Sequence, residues 1–229
     1  MPVVVLEPSC GSVFRDELKG LFPHDQNAIR LCRQTFLLSE FLCKYAPNYP
    51  RMQLERKAIV HAHCHHKAIM GVSAEQELLK RLGLDFELLQ SGCCGMAGAF
   101  GFEKGEHYDV SVKCGERVLL PTVRQTPEET LIITNGFSCH EQMAQQAHRS
   151  ALHLAEVLRM AIREGTPPKQ TVARTKAERI PAGAVVPSDE APEEHEPVPA
   201  GRVARFALAG VSAVAAGASA YLWQRGKKH

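Results

Sequence analysis

The chain has 229 residues, of which 45% are hydrophobic and 23% charged, with a net charge of +2. Such a chain can bury one good core and carry appendages; a nucleic-acid reader is excluded, because residues 1–165 hold no basic stripe interleaved with aromatics. The 8 cysteines, without a basic leader ahead of the short apolar start MPVVVLEPSC, point to a reducing compartment where thiols bind metal, react or fill core space.

In chain order, Pro2 to Leu6 reads as a buried strand. Helical patterns follow over Val13 to Leu21 and Gln26 to Lys44, the second with Phe36, Leu37 and Phe41 on an apolar face. Lys57 to His61 is the next strand, Ala74 to Leu82 a helix, Asp85 to Leu89 a strand, Tyr108 to Val123 a helix, and Thr130 to Thr134 a strand. Helices near Glu141 to Gln146 and Ala151 to Arg163 close the pattern. Short, nearly continuous apolar strands alternating with helices predict an α/β domain over residues 1–164, its sheet mainly parallel and covered by helices on both faces.

Residues 165–201 are rich in proline and charge and lack apolar periodicity, so a disordered linker is expected. Beyond it, in residues 202–229, Phe206 to Trp223 form 18 uncharged residues between Arg202 and Arg205 on one side and Arg225, Lys227 and Lys228 on the other. That length reaches the lower limit for a bilayer span, and Tyr221 and Trp223 suit an interface. A C-terminal membrane helix is one reading; an alanine-rich soluble helix is the other.

Cys10, Cys64, Cys93, Cys94 and Cys139 each lie just past a predicted strand. In a parallel sheet the carboxyl ends share one edge, where open α/β folds bind ligands, so these thiols are expected to meet. Soft thiolates beside backbone amides suit iron-sulfur clusters or zinc. Glycines 92, 95, 98 and 101 clear side chains away from Cys93 and Cys94, and their spacing is not a dinucleotide fingerprint. His61, His63, His65 and His66 surround Cys64, so a zinc site of one or two histidines with Cys64, Cys93 or Cys94 competes. His65 or His66 alternatively donates a hydrogen bond to a cluster sulfur. Cys32, Cys43 and Cys114 sit in helical patterns beside apolar residues and read as core. Phe100 and Phe102 either shield a cluster from water or pack in the core. No close carboxylate pair and no Gly-x-Ser-x-Gly elbow support a hydrolase, and no C-x-x-C supports a thiol-disulfide enzyme.

The ordered set SGCCGMAGAFGFEKGEHYDVSVKCGERVLLP, with EPSC upstream, HCHHKA between and NGFSCHEQM downstream, resembles the cysteine-rich CCG domain. That domain occurs in the cysteine-rich subunit of heterodisulfide reductase and in iron-sulfur subunits of glycolate and anaerobic glycerol-3-phosphate dehydrogenases. It also forms the carboxyl end of FAD-linked D-lactate or glycolate oxidases. The resemblance covers residues 1–160 and implies a 4Fe-4S cluster, cubane or non-cubane, held by Cys64, Cys93, Cys94 and Cys139 with Cys10 added from the preceding half module. By the same resemblance the chain is an electron-transfer module of a flavin-linked 2-hydroxy-acid dehydrogenase. FAD would be on a partner chain, and a quinone or other acceptor would take the electrons. The location implied is the cytoplasm, with the tail at the inner face of the membrane. Two departures stand out: Glu7 and Gly136 replace the first thiol of each terminal C-x-x-C pair. The first half module and the flavin domain are expected outside this chain. The alternative is a zinc-binding or metal-free scaffold that docks a partner enzyme.

Overall fold

A computed structural model describes residues 1–49 and 52–167, so the expected tail and nearly all of the expected linker lie outside the described residues. The first strand, β1 (Val3–Val5), leads into α1 (Pro8–Ser12), which continues through a π-type turn, Val13–Glu17, into α2 (Leu18–Leu21). Glu7 starts α1 by accepting the Ser9 N–H, and Pro8 follows at the first helical turn, where its missing donor costs nothing.

The helix expected over Gln26 to Lys44 is instead broken into α3 (Gln26–Gln34), β2 (Thr35–Leu37) and α4 (Leu38–Tyr45). Asp25 starts α3 by accepting the Asn27 and Ala28 amides. Thr35, Phe36 and Leu37 favour extended backbone, and β1 offers them a ladder: Val3 pairs with Thr35 and Val5 with Leu37, in parallel. Glu40 restarts the helix, accepting the Leu37 N–H at 2.7 Å and Arg15 Nη1 at 2.9 Å. A three-residue strand inside a helical period is paired across the fold, so local periodicity carries no sign of it.

The remaining strands, β3 (Lys57–Val60), β4 (Asp85–Leu88) and β5 (Leu131–Ile133), form a second parallel sheet in the order β4-β3-β5. Ala58 of the central strand faces Phe86 on one side and Leu131 on the other. The single sheet expected is therefore two, since β1 takes β2 as its partner and does not join the three. The helices are α5 (Ser73–Arg81), α6 (Glu106–Gly115), α7 (Leu119–Gln125), α8 (Phe137–Ala147) and α9 (Leu154–Glu164). The helix expected from Tyr108 to Val123 is interrupted at 116–118, which lets Leu119, Leu120 and Val123 turn wholly inward.

Side chains alternate across the three-stranded sheet and helices cover both faces. On one, Ala58, Val60, Leu131 and Ile133 pack against Leu78, Leu79 and Leu82 at α5 and Leu154, Val157 and Ala161 of α9. On the other, Ile59 and Ile132 pack against Leu119, Leu120 and Val123 of α7 and Met143 and Ala147 of α8; Cys94, Met96 and Cys139 belong to the same cluster. The second core thus ends in sulfur. No helix of the described residues is long and apolar enough to cross a membrane, and residues 206–223 lie outside them.

Candidate functional site

Three neighbouring parallel strands deliver cysteine to one edge. The chain leaves β3 through His61–His63 and turns into helix at Cys64; it leaves β4 for the loop of Cys93 and Cys94; it leaves β5 for α8, whose first turn holds Cys139. There the Cys64 thiol lies against Cys93, Cys93 against Cys94, and Cys94 against Cys139. Cys64 and Cys93 are half-buried, whereas Cys94 and Cys139 are 3% and 1% exposed. Cys10 is exposed on α1 and is not part of this row. Its helix is nonetheless fastened beside it: Ser12 Oγ lies 3.0 Å from His65 Nδ1, and Glu7 Oε2 accepts the Phe137 N–H at 2.7 Å. Glu7, one of the two departures from a C-x-x-C pair, thus joins the start of α1 to the start of α8. Among the described residues no three His, Cys, Asp or Glu side chains converge as the ligands of one metal ion must.

Crowding and burial raise three of the four thiols. The Cys94 thiol is pushed up to about 12, first by its contact with Cys139 and then by burial. Cys93 is raised further, by Cys94 and then by burial, and Cys64 is raised by burial and by Cys93. Adjacent thiolates in a poorly solvated place repel one another, so a bound cation favours the joint ionisation of Cys64, Cys93 and Cys94. The Gly95 N–H points at Cys93 Sγ, 3.3 Å away. Soft sulfur donors, an amide directed at one of them and an apolar floor of Met96 and Met143 fit a thiolate-bound metal group.

The glycines of the loop make room for backbone and core atoms rather than for a nucleotide. Gly95 has φ +101°, and a Cβ there would collide with the Ser111 carbonyl oxygen of α6. A Cβ at Gly101 would lie 2.5 Å from Met96 Sδ and 2.6 Å from Ser111 Oγ. The buried Gln142 of α8 fastens the arrangement, its Nε2 donating to the carbonyls of Cys94 and Ser111, both at 3.2 Å. Cys114, expected as core, instead borders the site: it is partly exposed and its Sγ reaches the Cys93 carbonyl at 3.6 Å. The available sequence signal was the small residues Ser111, Cys114 and Gly115 at helical spacing, which form one face of α6 against the loop. Cys32 and Cys43 stand elsewhere, partly buried, donating to the carbonyls of Arg15 and Ala74.

The strand ends at Val60, so His61, His63 and His65 do not share a strand face. Buried His61 pairs Nδ1 with Ser91 Oγ at 2.7 Å, and burial, helped by Lys67, pushes it down to about 4. His63 packs beside Gly136 and Cys139. His66 is buried 3.2 Å from Glu75, too poorly aligned for a hydrogen bond. Phe102 is 50% exposed, and Phe100 stacks on His107.

Glu75 anchors a network between α5, the loop after β5 and α9: its Oε1 accepts from Asn135 Nδ2 at 2.8 Å, and Asn135 Oδ1 accepts the Leu154 N–H at 2.9 Å. Burial raises the Glu75 carboxyl from 4.5 to about 7. A raised carboxyl contributes its stability below 4.5 and loses it as the pH climbs to about 7, because the unfolded chain gives up the proton first. His66, held down at about 4 by burial, acts oppositely, costing stability as the pH falls below 6.5. Glu75→Gln keeps the bond to Asn135 without the charge. Its stability in urea, compared with wild type, is expected to rise steadily from pH 5 to pH 7 by roughly 1–3 kcal/mol; a constant gap would show that Glu75 titrates like an exposed carboxylate.

No family model matches the chain, and no solved structure matches it. It is 27% identical over 168 residues to one subunit of the anaerobic glycerol-3-phosphate dehydrogenase of Escherichia coli, a match covering 71% of this chain and 41% of that protein. It is 27% identical over 170 residues to lactate utilization protein A 2 of Bacillus cereus, covering 68% of each. It is 26% identical over 160 residues to D-2-hydroxyglutarate dehydrogenase of Pseudomonas putida, covering 69% of this chain and 15% of that one. The relatives are dehydrogenases, or subunits of them, and a lactate-utilization protein; the chain matches only part of each.

Proposed function

We propose that this chain is the iron-sulfur electron-transfer module of a flavin-linked dehydrogenase acting on a 2-hydroxy acid of the lactate or glycolate type, with FAD on a partner chain. The row of four thiols at one edge of a parallel sheet carries the proposal. Of the relatives, two are named for 2-hydroxy acids, lactate and 2-hydroxyglutarate, which motivates that substrate class, and one for glycerol 3-phosphate, which is not such an acid. Cys64, Cys93, Cys94 and Cys139 would hold a 4Fe-4S group, with Cys10 joining from α1. Bound there, the group supplies one-electron transfer between a reduced flavin and an acceptor such as a quinone.

The chain's own part is to bind, shield and tune. Cys94, Cys139, Met96 and Met143 keep water from the inner side of the row. The Gly95 amide donates toward Cys93 sulfur, which favours added negative charge. Attachment of residues 206–223 to the inner face of a membrane, near a quinone, belongs to the same proposal.

A zinc scaffold is the competing reading, and zinc takes four donors tetrahedrally around one point at about 2.3 Å for sulfur. A row of thiols suits a polynuclear group better. Anaerobic reconstitution with iron and sulfide decides between them. The expected product is brown, absorbs near about 400 nm and contains both iron and acid-labile sulfide. Zinc binding without sulfide would replace this function with the scaffold.

A further inference from the structure

Glu7 stands three residues before Cys10, and its carboxylate reaches a helix that begins 130 residues later. One oxygen, Oε1, accepts the Ser9 N–H at 3.2 Å and the Ser9 hydroxyl at 2.8 Å, which starts α1. The other, Oε2, accepts the Phe137 N–H at 2.7 Å. Phe137 is the first residue of α8, and Gly136 before it has no side chain with which to cap the helix. Glu7 therefore supplies, from a distant part of the chain, the acceptor that a serine or aspartate would supply locally.

The same bond brings a negative charge close to the row. A Cβ built on Gly136 lies 3.2 Å from Cys139 Sγ, and three covalent bonds lead from that point to the Phe137 nitrogen. With the 2.7 Å hydrogen bond added, Glu7 Oε2 is at most about 10 Å from the Cys139 sulfur. The side chain is half-buried, so salt and water screen it incompletely. It also sits at the positive end of an 11-residue helix, whose dipole would otherwise favour added electrons beside Cys139. Further along the row, by contrast, Cys93 sulfur receives the Gly95 amide at 3.3 Å.

We propose that Glu7 is a positioning residue whose carboxylate, fastened to the first turn of α8, holds down the reduction potential of the metal group bound by the row without being one of its ligands. This rests on the function proposed above. An added electron puts negative charge next to a fixed negative charge, so the reduced form is disfavoured. At about 10 Å in a partly solvated place, one unit charge shifts a one-electron equilibrium by roughly fivefold.

The test compares wild type with Glu7→Gln, whose amide oxygen can still accept the Phe137 N–H without the charge, and Glu7→Asp, which keeps the charge on a shorter side chain. Glu164→Gln is the control, since Glu164 pairs with Arg56 just before β3, at the opposite edge of the sheet. All are reconstituted anaerobically with iron and sulfide, assayed for both, and titrated under a spectrophotometer. E7Q is expected to keep its full iron and sulfide while the ratio of reduced to oxidised group at a fixed ambient potential rises about fivefold, equivalent to about 41 mV for one electron. E7D and E164Q are expected to stay within about twofold of wild type. Should E7Q not fold, Glu7→Ser, neutral and favoured at helix starts, takes its place. Full loading of E7Q with an unmoved potential would overturn the inference alone. A shift in E7D equal to that in E7Q would assign the effect to bonding geometry rather than charge, and overturn it as well. Loss of iron from E7Q with full loading of E7D would make Glu7 a ligand, against the proposal. If wild type takes up neither iron nor sulfide, the functional reading fails, and this inference with it. Independently of metal, the Phe137 amide of the apo-protein should exchange its hydrogen about tenfold more slowly in wild type than in Glu7→Ala; equal rates would refute the link between Glu7 and α8.

Discussion

Replacing Cys94 with serine is expected to abolish retention of iron and sulfide by the reconstituted protein. Cys94 is the middle of the row, touching Cys93 on one side and Cys139 on the other, and it is 3% exposed. A hydroxyl in its place is a hard donor that does not ionise near neutral pH, so the polynuclear group loses a ligand and gains no substitute. Burying the hydroxyl costs roughly 1–3 kcal/mol if it finds no partner, so Cys94→Ala serves as the second variant. Thermal unfolding confirms that each still folds. Cys32→Ser and Cys43→Ser are the controls, because those sulfurs donate to the Arg15 and Ala74 carbonyls away from the row. After desalting, iron and sulfide are expected at background in both Cys94 variants and at wild-type levels in both controls. Full loading of Cys94→Ala would remove this thiol from the ligand set. Cys10→Ser tests the exposed fifth thiol in the same assay, with partial loss expected, since α1 borders the site through Glu7 and Ser12 but the Cys10 side chain is exposed.

The second large effect is expected at Gly95. Its φ of +101° is strained for any other residue, and a Cβ would strike the Ser111 carbonyl oxygen, a backbone atom of α6 that cannot swing away. The conformational penalty is of order 1–3 kcal/mol and overpacking adds roughly 1–3 kcal/mol. Together these take a large share of the ~5–15 kcal/mol that holds a typical domain folded. Gly95→Ala is therefore expected to lower the urea midpoint severely or to eliminate cooperative unfolding. Gly98→Ala is the internal control: φ is +67° but no atom lies within 4 Å of the added carbon, so only the left-handed backbone cost of roughly 1–2 kcal/mol applies. Equal midpoints for the two variants would mean that α6 does not rest on the Cys93-Cys94 loop as described.

Much of the sheet could be read directly. Lys57 to Val60, Asp85 to Leu88 and Leu131 to Ile133 stand within a residue or two of their expected positions. A short apolar run covered on both faces is a local signal, and Gly83 and Gly92 flank the second run as Asn135 and Gly136 follow the third. Other features were not local. Thr35 to Leu37 lies in an amphipathic stretch that fits a helix equally well, and only the free edge of Val3 to Val5 decides for a strand. The interruption at 116–118 depends on where Leu119 and Leu120 find core. Gln142 and Cys114 became visible as site residues only when α6 and α8 were seen against the loop.

From the order of residues alone came the α/β class, the placement of Cys64, Cys93, Cys94 and Cys139 after strands, and hence the edge at which they gather. Tertiary structure decided which sulfurs touch, that Cys10 stays outside the row on an exposed face, and that His63 rather than His65 or His66 stands beside Cys139. The reason is range. Hydrophobic period and strand ends are set by neighbours a few positions away, whereas contact between residues such as His63 and Gly136 depends on how separate helices settle on a shared sheet.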